Sequence, residues 1–544
     1  MSRHSHGPKQ FFLVCTGQGS PLKGASRESM GGKAFNLLEM AHLGLNVPPA
    51  LVVGTHYTFD PASSLLPLTQ WGLPELEAAT GLTLGDERHP LIVSVRSGAP
   101  VSMPGMLETL LNVGLCDRTV GGLLRQTGNP RMVWDAYRRL IASFGEVVAG
   151  VPHSAFEQVL KETVGERDER QLDFAEHRSM VRRYLEVYLN ESGSEFPQDP
   201  HEQLHAAVQA VFRSWHLPKA RSYRELNGLS EKLGTAVTIQ RMVFGNTGSH
   251  SGAGVGFTRN PMTGEPGLWV DYLVNAQGED VVGGHRNAHG HEALVRSAPL
   301  AFEALKQAAS LLERHFGDMQ DLEFTVQDGE LFMLQTRSGK RTPRAAARIA
   351  LDLLDEGVID RSQALERTRI LSSEALQLVR LSSPDGAEHA ALACAEPASG
   401  GVVCGEIALD AQRVEACVQA GRPVVLVRND TLTEDINALQ AAHGLLTRHG
   451  ARTSHAAVVA RQLGKVCLVG CADLQVDLSN RTIRLAGRCL EEGEPITLDG
   501  CGGGIYPGRM EMVSEPDEAL WSRIEGLRAS PAGSLRSHGK KVKA

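Results

Sequence analysis

The alternation of hydrophobic and polar positions predicts a mixed region of helices and strands in the first part of the chain. Residues 34–43 place apolar side chains on one helical face and are followed by Gly44, a typical C-terminal cap. Short apolar runs predict buried strands at residues 91–95 and 235–244, and strand character continues to about residue 335. Together these elements indicate an α/β body.

Helical periodicity dominates two other stretches. Residues 118–224 are helical and highly charged, with the clearest helices at 134–148 and 177–189. We predict that this stretch is a helical subdomain inserted into, or packed beside, the α/β body. Residues 343–357 and 362–378 are rich in Ala, Leu and Arg and predict a helical linker.

A second α/β unit is predicted from residue 397 to residue 512. Strands are indicated at residues 423–427, 444–447 and 466–469, and a helix at 455–463 separates the last two. The segment that follows ends in a basic run and is expected to be a solvated, disordered tail. A chain of 544 residues has room for three or four such domain-sized units.

Composition narrows the class of protein. The net charge of −8, with 42% hydrophobic and 22% charged residues, is ordinary for a globular protein and argues against one that coats nucleic acid. No apolar run reaches the length of about 18 residues that spans a membrane, and residues 1–10 lack the apolar core of a signal peptide. The nine cysteines form no repeating framework, which favours reduced thiols in a cytoplasmic protein.

The sequence around His455 is typical of a functional helix start. Thr453 or Ser454 can cap the helix, Gly464 ends it, and His455 falls in its first turn. The free backbone N–H groups and the positive end of the helix dipole favour a neutral, nucleophilic imidazole and stabilise an attached phosphoryl group. Taken alone, the motif is also compatible with an ordinary capped helix whose histidine is partly buried.

Residues 321–337 predict a β-hairpin with an Asp-Gly turn. Alternation places Asp321 and Glu323 on one face of the first strand, and Gln335 and Arg337 on one face of the second. A two-residue turn would direct these pairs to opposite faces, so we predict a three-residue loop, or another odd-length one, that brings them together. Their oxygens would suit Mg²⁺, and Arg337 would pair with a phosphate, although surface hairpins also carry such residues for solubility.

Three smaller features agree with a phosphate-binding site. The Gly-Gly-Lys sequence at residues 31–33 is a flexible loop that ends in a cation at a helix start. Arg96 closes an apolar strand, where an unpaired charge is costly, and residues 103–106 form either a turn or a mobile lid. No segment matches the P-loop pattern, which disfavours a P-loop ATPase.

Several long motifs resemble those of the pyruvate, phosphate dikinase family, and more distantly those of phosphoenolpyruvate synthase and rifampin phosphotransferase. They follow one collinear order over roughly residues 10–512. The matching stretches are residues 31–40 (GGKAFNLLEM), 93–105 (VSVRSGAPVSMPG), 224–228 (RELNG), 240–246 (QRMVFGN), 251–265 (SGAGVGFTRNPMTGE), 275–282 (NAQGEDVV), 318–342 (DMQDLEFTVQDGELFMLQTRSGKRT) and 446–470 around His455.

The resemblance implies an α/β (α+β) multidomain fold. Residues 1–345 would form an ATP-grasp nucleotide-binding domain with a helical insert at about 118–224, and residues 346–396 a helical linker. Residues 397–512 would form the swivelling β/β/α phosphohistidine domain, and residues 513–544 a basic, disordered tail. Too few residues follow this domain for the family's C-terminal (β/α)₈ barrel, so we expect no TIM barrel in this chain.

The resemblance also implies a chemistry and its residues. In the family, ATP transfers its β,γ-diphosphate to a histidine and releases AMP; His455 would be this nucleophile, with Arg96 and Arg337 as catalytic cations. The residues assigned to ATP are Lys33, Arg96, Gly105, Thr109, Gln240, Met242, Val243, Glu279, Glu323, Gln335 and Arg337. Mg²⁺, the cofactor bound with ATP, would be held by Asp321, Glu323 and Gln335.

One departure concerns the histidine loop. Residues 448–453 differ from the Gly-Gly-Met that dikinases usually carry, and Arg452-Thr453 is closer to phosphoenolpyruvate synthases. Whether phosphate or water takes the terminal phosphoryl group therefore stays open.

These expectations define a leading function and an alternative. The leading hypothesis is an ATP-dependent phosphotransferase that (di)phosphorylates His455 and delivers the phosphoryl group to pyruvate or another small molecule bound on a partner or another site. The alternative is a non-catalytic or low-turnover phosphohistidine carrier or regulatory protein that acts with a separate barrel subunit. We expect no nucleic-acid or membrane partner, and the oligomeric state stays open, a homodimer included.

Overall fold

Two mixed α/β regions joined by a helical segment make up the computed structural model. The structure describes residues 9–17, 22–101, 103, 105–165, 167, 169–282, 290–382, 390–430, 435–452 and 454–529. No helix in these ranges combines the length and the apolar character needed to cross a membrane.

The N-terminal region contains two antiparallel sheets. Its strands are β1 (Phe11–Val14), β2 (Ala50–Val53), β3 (Val93–Gly98), β4 (Thr109–Val113), β5 (Ala236–Arg241), β6 (Gly252–Arg259), β7 (Pro266–Val274), β8 (Gln320–Gln327) and β9 (Glu330–Ser338). The five-stranded sheet has the order β1-β2-β5-β3-β4, and the four-stranded sheet has the order β7-β6-β8-β9. Strand β3 begins at Val93, two residues later than the apolar run indicates, and it ends in Arg96-Ser97-Gly98 as the sequence predicts.

The helices of this region surround the two sheets. They are α1 (Arg27–His42), α2 (Leu65–Pro67), α3 (Leu73–Thr80), α4 (Asp117–Thr127), α5 (Pro130–Phe144), α6 (His153–Val164), α7 (Phe174–Ser192), α8 (Pro200–Ser214), α9 (Pro218–Leu226), α10 (Gly278–Val282), α11 (His291–Ser297) and α12 (Pro299–Phe316). Helices α4 to α9 lie between β4 and β5 in the chain, where the sequence predicts a helical insert.

Alternation along the strands decides how the five-stranded sheet is buried. Val237 and Ile239 of β5 point into one hydrophobic core, which includes Tyr137 of α5. Val52 of the neighbouring strand β2 points the other way, into a second core with α1, α12 and Phe324 of β8. The sheet is thus held between the helical insert and the four-stranded sheet, so its second face is directed toward α1 and β8.

The C-terminal region has three layers. Its strands are β10 (Leu378–Leu381), β11 (Ala393–Cys394), β12 (Glu396–Ser399), β13 (Val402–Ala408), β14 (Val424–Arg428), β15 (Gly444–Thr447), β16 (Val466–Val469), β17 (Leu474–Asp477), β18 (Thr482–Leu485), β19 (Arg488–Glu491), β20 (Pro495–Asp499), β21 (Gly504–Pro507) and β22 (Met512–Glu515). The remaining helices are α13 (Pro343–Asp355), α14 (Arg361–Thr368), α15 (Ala411–Gln419), α16 (Asp435–Ala441), α17 (His455–Gln462) and α18 (Glu518–Ala529).

The centre of this region is an eight-stranded sheet with the order β11-β21-β20-β13-β14-β15-β16-β12. Helices α15, α16 and α17 pack on one face through a core that includes Ala457 and Ala460. The three-stranded sheet β17-β18-β19 packs on the other face through Ile483 and Leu490. The predicted α/β multidomain fold with a β/β/α unit is confirmed, and in the described part of the chain no sheet closes into a barrel.

The expectation of a disordered tail over residues 513–544 is wrong for its first part. Strand β22 pairs antiparallel with β10, and α18 buries Leu520, Ile524 and Leu527 in a core shared with α13 and α14. Their spacing of four and three residues forms an apolar stripe on one helical face, which the charge of the tail obscured. The basic run at residues 536–543 lies outside the described residues.

Candidate functional site

Helix α1 places Lys33 beside the end of strand β3. The sequence predicts a Gly-Gly-Lys loop before the helix, but the helix already begins at Arg27 and is interrupted at Gly31, where φ is 75° and ψ is 157°. A Cβ atom on Gly31 would lie 1.8 Å from the carbonyl oxygen of Gly98. Glycine is therefore needed at this position, because it provides both the positive φ and the close approach that brings Lys33 to the sheet.

The turn of the β8–β9 hairpin is shorter than predicted. Gln327 pairs with Glu330, so Asp328 and Gly329 alone form the loop. Both have positive φ values, 51° and 85°, which is typical of a type I′ turn and matches the Asp-Gly sequence. The prediction of a three-residue or other odd-length loop is wrong.

A β-bulge supplies the extra residue instead. The pairing shifts between Glu323 and Phe324, which leaves Leu334 as the additional residue of β9. Past the bulge, Glu323 lies opposite Gln335, and Asp321 lies opposite Arg337. The polar residues of the two strands therefore share one face, as the sequence predicts, although by a bulge in the strand and not by the loop.

The charged side chains on this face are paired with one another and with Arg96 of β3, in the five-stranded sheet. Arg96 Nη2 lies 3.1 Å from Glu323 Oε2, and Gln335 Nε2 donates to Glu323 Oε1 at 2.9 Å. Arg337 Nε donates to Asp321 Oδ2 at 2.7 Å. Burial raises the pKa of Asp321, which Arg337 offsets only in part. Burial would also raise the pKa of Glu323, but Arg96, Arg337 and Lys33 outweigh it and lower that pKa.

Lys33 is the third cation of this cluster, and its own pKa is lowered. Its side chain is exposed to the cleft between α1 and the sheets, where nearby protein atoms displace part of the solvent. This desolvation lowers its pKa to about 8, and the like charges of Arg96 and Arg337 act in the same direction, while Glu323 opposes them. The cluster thus presents cations around two carboxylates, an arrangement suited to binding phosphates with a divalent metal ion.

The donor set fits Mg²⁺ by its chemistry. In the described ranges no three His, Cys, Asp or Glu side chains gather as a metal site. The candidate ligands are instead the two carboxylates Asp321 and Glu323 and the carboxamide oxygen of Gln335, all hard oxygen donors. Gln335 Oε1 is buried and has no hydrogen-bond partner in the described part of the chain. A buried acceptor without a donor is what a cation could satisfy.

The same face of the four-stranded sheet continues away from this cluster. Glu323 lies opposite Val255 of β6, which in turn lies opposite Asp271 of β7. The adjacent row pairs Asp321 with Phe257, and Phe257 with Trp269. Side chains directly opposite each other point to the same face of a sheet, so this face carries both the acidic cluster and the β7 residues Trp269 and Asp271.

The C-terminal region docks on that face through two arginines. Arg452 donates from Nε and Nη2 to Asp271 Oδ1 at 3.0 and 2.8 Å, and its guanidinium lies 4.2 Å from the centre of the Trp269 ring. The guanidinium of Arg461, in α17, lies over the rings of Phe257 and Trp269 at 5.4 and 5.6 Å. Burial lowers the pKa of Arg461 to about 10, so it stays charged at neutral pH.

Helix α17 begins at His455 as the sequence predicts. Ser454 is the N-cap and accepts a hydrogen bond from the backbone N–H of Ala457 at 3.4 Å. Arg461 ties the helix to the preceding loop by donating to the carbonyl oxygen of Arg452 at 2.9 Å. The side chain of His455 and all of Thr453 lie outside what the structure describes.

The remaining predicted phosphate contacts lie near Arg96 in the chain or in the sheet. Thr109, at the start of β4, pairs directly with Arg96 across the strands. Gly105 lies in a turn with φ of 71° in the loop that joins β3 to β4, and in the same loop Met103 is buried against Trp215. Of the suggested lid at 103–106, residue 104 lies outside the described residues.

The predicted nucleotide-pocket residues are spread over a wider area. Gln240 lines the same cavity as Lys33, and its Nε2 donates to the carbonyl oxygen of Pro48 at 3.0 Å. Met242 lines a neighbouring cavity of about 290 Å³, and Val243 is buried. Glu279, in α10, is paired with Arg139 of the helical insert at 3.4 Å, and burial raises its pKa. No described hydrogen bond or ion pair joins Glu279 to the acidic cluster.

Two family models match the regions that carry these features. The model for the pyruvate phosphate dikinase AMP/ATP-binding domain matches residues 74–291 and 291–357, just over half of the chain. The chain belongs to the pyruvate phosphate dikinase family. The model for the mobile domain of PEP-utilising enzymes matches residues 420–503, which contain α17.

Three relatives from this family are similar to the chain over 89–96% of its length. It is 42% identical over 534 residues to pyruvate, phosphate dikinase 1, chloroplastic, of Arabidopsis thaliana, covering 96% of this chain and 55% of the relative. It is 41% identical over 530 residues to pyruvate, phosphate dikinase 2 of Oryza sativa subsp. japonica, covering 94% and 60%. Pyruvate, phosphate dikinase 2 of Zea mays is 42% identical over 496 residues, covering 89% and 56%. The chain thus spans about half the length of these relatives.

Sequence reasoning did not identify Trp269 and Asp271, the β7 residues on which the C-terminal region docks. Asp271 stands in an otherwise apolar strand, where an acidic residue is costly unless it is paired. That signal marks Asp271 as a residue with a partner, but it does not identify Arg452, which lies 181 positions away. Thr238 of β5 carries no comparable signal in the sequence.

Proposed function

We propose that the chain uses Mg·ATP to phosphorylate His455 and releases AMP, and that the phosphohistidine domain then carries the phosphoryl group to an acceptor. The activity is that of a dikinase-type phosphotransferase. The relatives are named pyruvate, phosphate dikinases, which supports pyruvate and phosphate as the two acceptors.

The observation that carries this proposal is the shared sheet face. Asp321 and Glu323 occupy the same two cross-strand rows as Trp269 and Asp271. Asp271 and Trp269 contact Arg452 and Arg461, which lie on either side of His455 in the chain. The docked arrangement therefore supports a first step in which the histidine domain receives its phosphoryl group at the nucleotide site. Because the two regions are already docked, the reaction avoids part of the entropy loss that two separate reactants would incur.

The proposed roles of the cleft residues follow from their chemical type and their position. Lys33, Arg96 and Arg337 bind the phosphate oxygens and compensate the charge that develops during transfer. Gly105 and Thr109 add backbone and hydroxyl contacts from the β3–β4 loop and the start of β4. Gln240 and the backbone at 242–243 would line the nucleotide pocket, and Glu279 would contact the ribose.

Asp321, Glu323 and Gln335 would hold Mg²⁺. When bound, the ion supplies charge compensation between the phosphates. Asp321 and Glu323 are also bonded to Arg337 and Arg96, so the chain positions its cations before the nucleotide arrives. Preorganised charges of this kind lower the barrier without reorganisation during the reaction.

The proposed transfer is a substitution at the β-phosphorus of ATP. A ring nitrogen of His455 forms a bond to the β-phosphorus of ATP, and the bond from that phosphorus to the α,β-bridging oxygen breaks. AMP leaves with the electron pair, and the histidine carries the diphosphoryl group. Phosphate or water then takes the terminal phosphoryl group, giving pyrophosphate or phosphate, and the remaining phosphoryl group is passed to the acceptor.

The nucleotide products test this function. We expect ATP with Mg²⁺ to give AMP and not ADP, and His455→Ala to give neither AMP nor labelled protein. Pyrophosphate that forms only when phosphate is added supports the dikinase reaction, whereas phosphate formed from water supports the synthase type. Exclusive formation of ADP contradicts the proposal. AMP that stops at one equivalent per chain, even with pyruvate and a barrel protein present, supports the non-catalytic carrier instead.

The acceptor site is proposed to lie in another part of the protein or on a separate subunit, since the relatives extend well beyond the matched part. Loss of the phosphoryl group from labelled protein on addition of pyruvate, with formation of phosphoenolpyruvate, would identify pyruvate as the acceptor. A cytoplasmic location remains a prediction, because two of the dikinase relatives compared carry names that do not settle it and one is named chloroplastic.

A further inference from the structure

A buried hydroxyl group next to the cation cluster lacks a partner. Thr238 lies in β5 directly opposite Arg96 of β3, so both side chains point to the face of the sheet that meets α1 and β9. Thr238 is buried, and its Oγ1 has no hydrogen-bond partner in the described part of the chain. Buried hydroxyl groups are almost always bonded to protein or to ordered water, so this group indicates a bound molecule.

A second unsatisfied atom borders the same space. Gln335 Oε1 is also buried without a partner in the described ranges, and Gln335 and Thr238 line one cavity together with Lys33, Arg96 and Gln240. The space open to the centre of a water molecule is about 10 Å³. That is about the volume that one water occupies by this measure.

We propose that this cavity holds one bound water molecule that joins Thr238 Oγ1 to Gln335 Oε1. The water donates one hydrogen bond to each of these oxygens and accepts one from a cationic side chain at the border of the cavity, Lys33 or Arg96. This gives it the usual number of about three partners for a buried water. The assignment makes Thr238 a positioning residue for Gln335, and it rests on the proposed function only where nucleotide binding is the readout.

The water fixes the orientation of the Gln335 carboxamide from its second end. The first end is already held, because Nε2 donates to Glu323 Oε1 at 2.9 Å. A carboxamide oxygen has two lone pairs, so one accepts from the water and the other stays directed to the cation that Asp321 and Glu323 would share. Removing the hydroxyl of Thr238 leaves Gln335 free to turn about its last torsion.

The test compares Thr238→Val, which keeps the shape and removes the hydroxyl, with Thr238→Ser, which keeps the hydroxyl. Binding of Mg²⁺ with α,β-methylene-ATP is measured by calorimetry on the full chain. We expect the valine variant to bind about five- to tenfold more weakly and to need more Mg²⁺ for half-saturation, and the serine variant to bind like the wild type. Equal binding by the valine variant, or equally weak binding by the serine variant, overturns the role of Thr238.

A crystal structure at high resolution decides the water independently of function. We expect electron density for one water within hydrogen-bonding distance of Thr238 Oγ1 and Gln335 Oε1 in the wild type, and none in Thr238→Val. An empty cavity in the wild type overturns the proposal whatever the binding data show. Failure of the wild type to bind the nucleotide contradicts the proposed function instead, and the electron density still decides whether the water is present.

Discussion

Replacing Arg452 by alanine should separate docking from nucleotide binding. Arg452 makes two charge-assisted hydrogen bonds to the buried Asp271, a third to the carbonyl oxygen of Val270 at 3.3 Å, and a stacking contact with Trp269 at 4.2 Å. Hydrogen bonds to charged groups contribute about 1.5–3 kcal/mol each and cation–π contacts about 0.5–2 kcal/mol. These contributions are not additive, and Arg452 is one-fifth exposed. We therefore assign about 2–3 kcal/mol to the contribution of Arg452 to the stability of the docked state.

That free energy corresponds to a docking equilibrium about 30- to 150-fold less favourable. We therefore expect the rate of His455 phosphorylation in Arg452→Ala to fall by tenfold or more, because the domain must be docked to accept the diphosphoryl group. The assay is the rate at which acid-labile label from β-labelled ATP appears on the protein. Arg452→Lys should give an intermediate rate, since lysine keeps the charge but loses the planar fork and the stacking.

Two controls make the result specific to docking. Affinity for Mg·α,β-methylene-ATP should be unchanged in Arg452→Ala, since Arg452 contacts β7 and none of the proposed nucleotide ligands. Arg488→Ala removes an exposed arginine of β19 in the same domain and should react like the wild type. A wild-type rate in folded Arg452→Ala, or an equal loss of nucleotide affinity, refutes the reasoning.

Other predictions concern the nucleotide cleft. Because desolvation lowers the pKa of Lys33 to about 8, Lys33 loses its charge as pH rises through that value, so affinity for Mg·ATP should fall between about pH 7 and pH 9. Lys33→Arg should remove this dependence in calorimetric titrations, and an unchanged profile contradicts the assignment. Gly31→Ala should destabilise the fold by about 2 kcal/mol or more in thermal unfolding, because it combines positive φ with a backbone clash. Gly32→Ala, whose Cβ meets its nearest atom at 3.3 Å, should change stability by less than about 1 kcal/mol, and equal effects of the two would disprove the packing argument. Asp321→Asn should raise the Mg²⁺ concentration for half-maximal AMP formation at least tenfold, and EDTA should abolish AMP formation in the wild type; an unchanged Mg²⁺ requirement speaks against this ligand.

Local elements could be predicted from the sequence where short-range patterns decide them. The strands at 444–447 and 466–469 have the predicted bounds, because each is a short apolar run in the buried sheet. Helix α17 also starts at its predicted residue, because a capping serine and the apolar spacing agree. In these cases the physical cause acts within a few residues of the element itself.

The helix start at Arg27 could not be predicted in the same way. The pattern placed Gly31 in a loop because two successive glycines weaken a helix. In the folded chain, Gly31 instead forms a kink that fits against the carbonyl oxygen of Gly98. The conformation is thus decided by a strand far away in sequence, which short-range propensity does not include.

The hairpin shows a prediction with the right consequence and the wrong cause. Alternation required one extra residue between the two polar pairs, and the sequence left its position open. The structure places it at Leu334, inside β9, while the Asp-Gly turn keeps its preferred two-residue loop. The local turn preference therefore prevails, and the strand adjusts.

The docking contacts depend on register and tertiary packing alone. Asp271 and Glu323 share a row only because β6 lies between their strands with Val255 opposite both. Arg452 reaches this row from the other half of the chain. A single sequence does not specify which residues become neighbours across strands. The relation between the docking surface and the acidic cluster therefore appears only in the folded chain.

Phosphorylation of His455 by ATP can be detected on the protein itself. The full chain is incubated with Mg²⁺ and β-labelled ATP, digested at alkaline pH to preserve acid-labile bonds, and analysed by mass spectrometry. We expect a phosphorylated or diphosphorylated histidine in the peptide that contains His455, formed together with AMP and absent from His455→Ala. Unmodified His455 in protein that binds Mg·ATP, or equal label in the alanine variant, would contradict it.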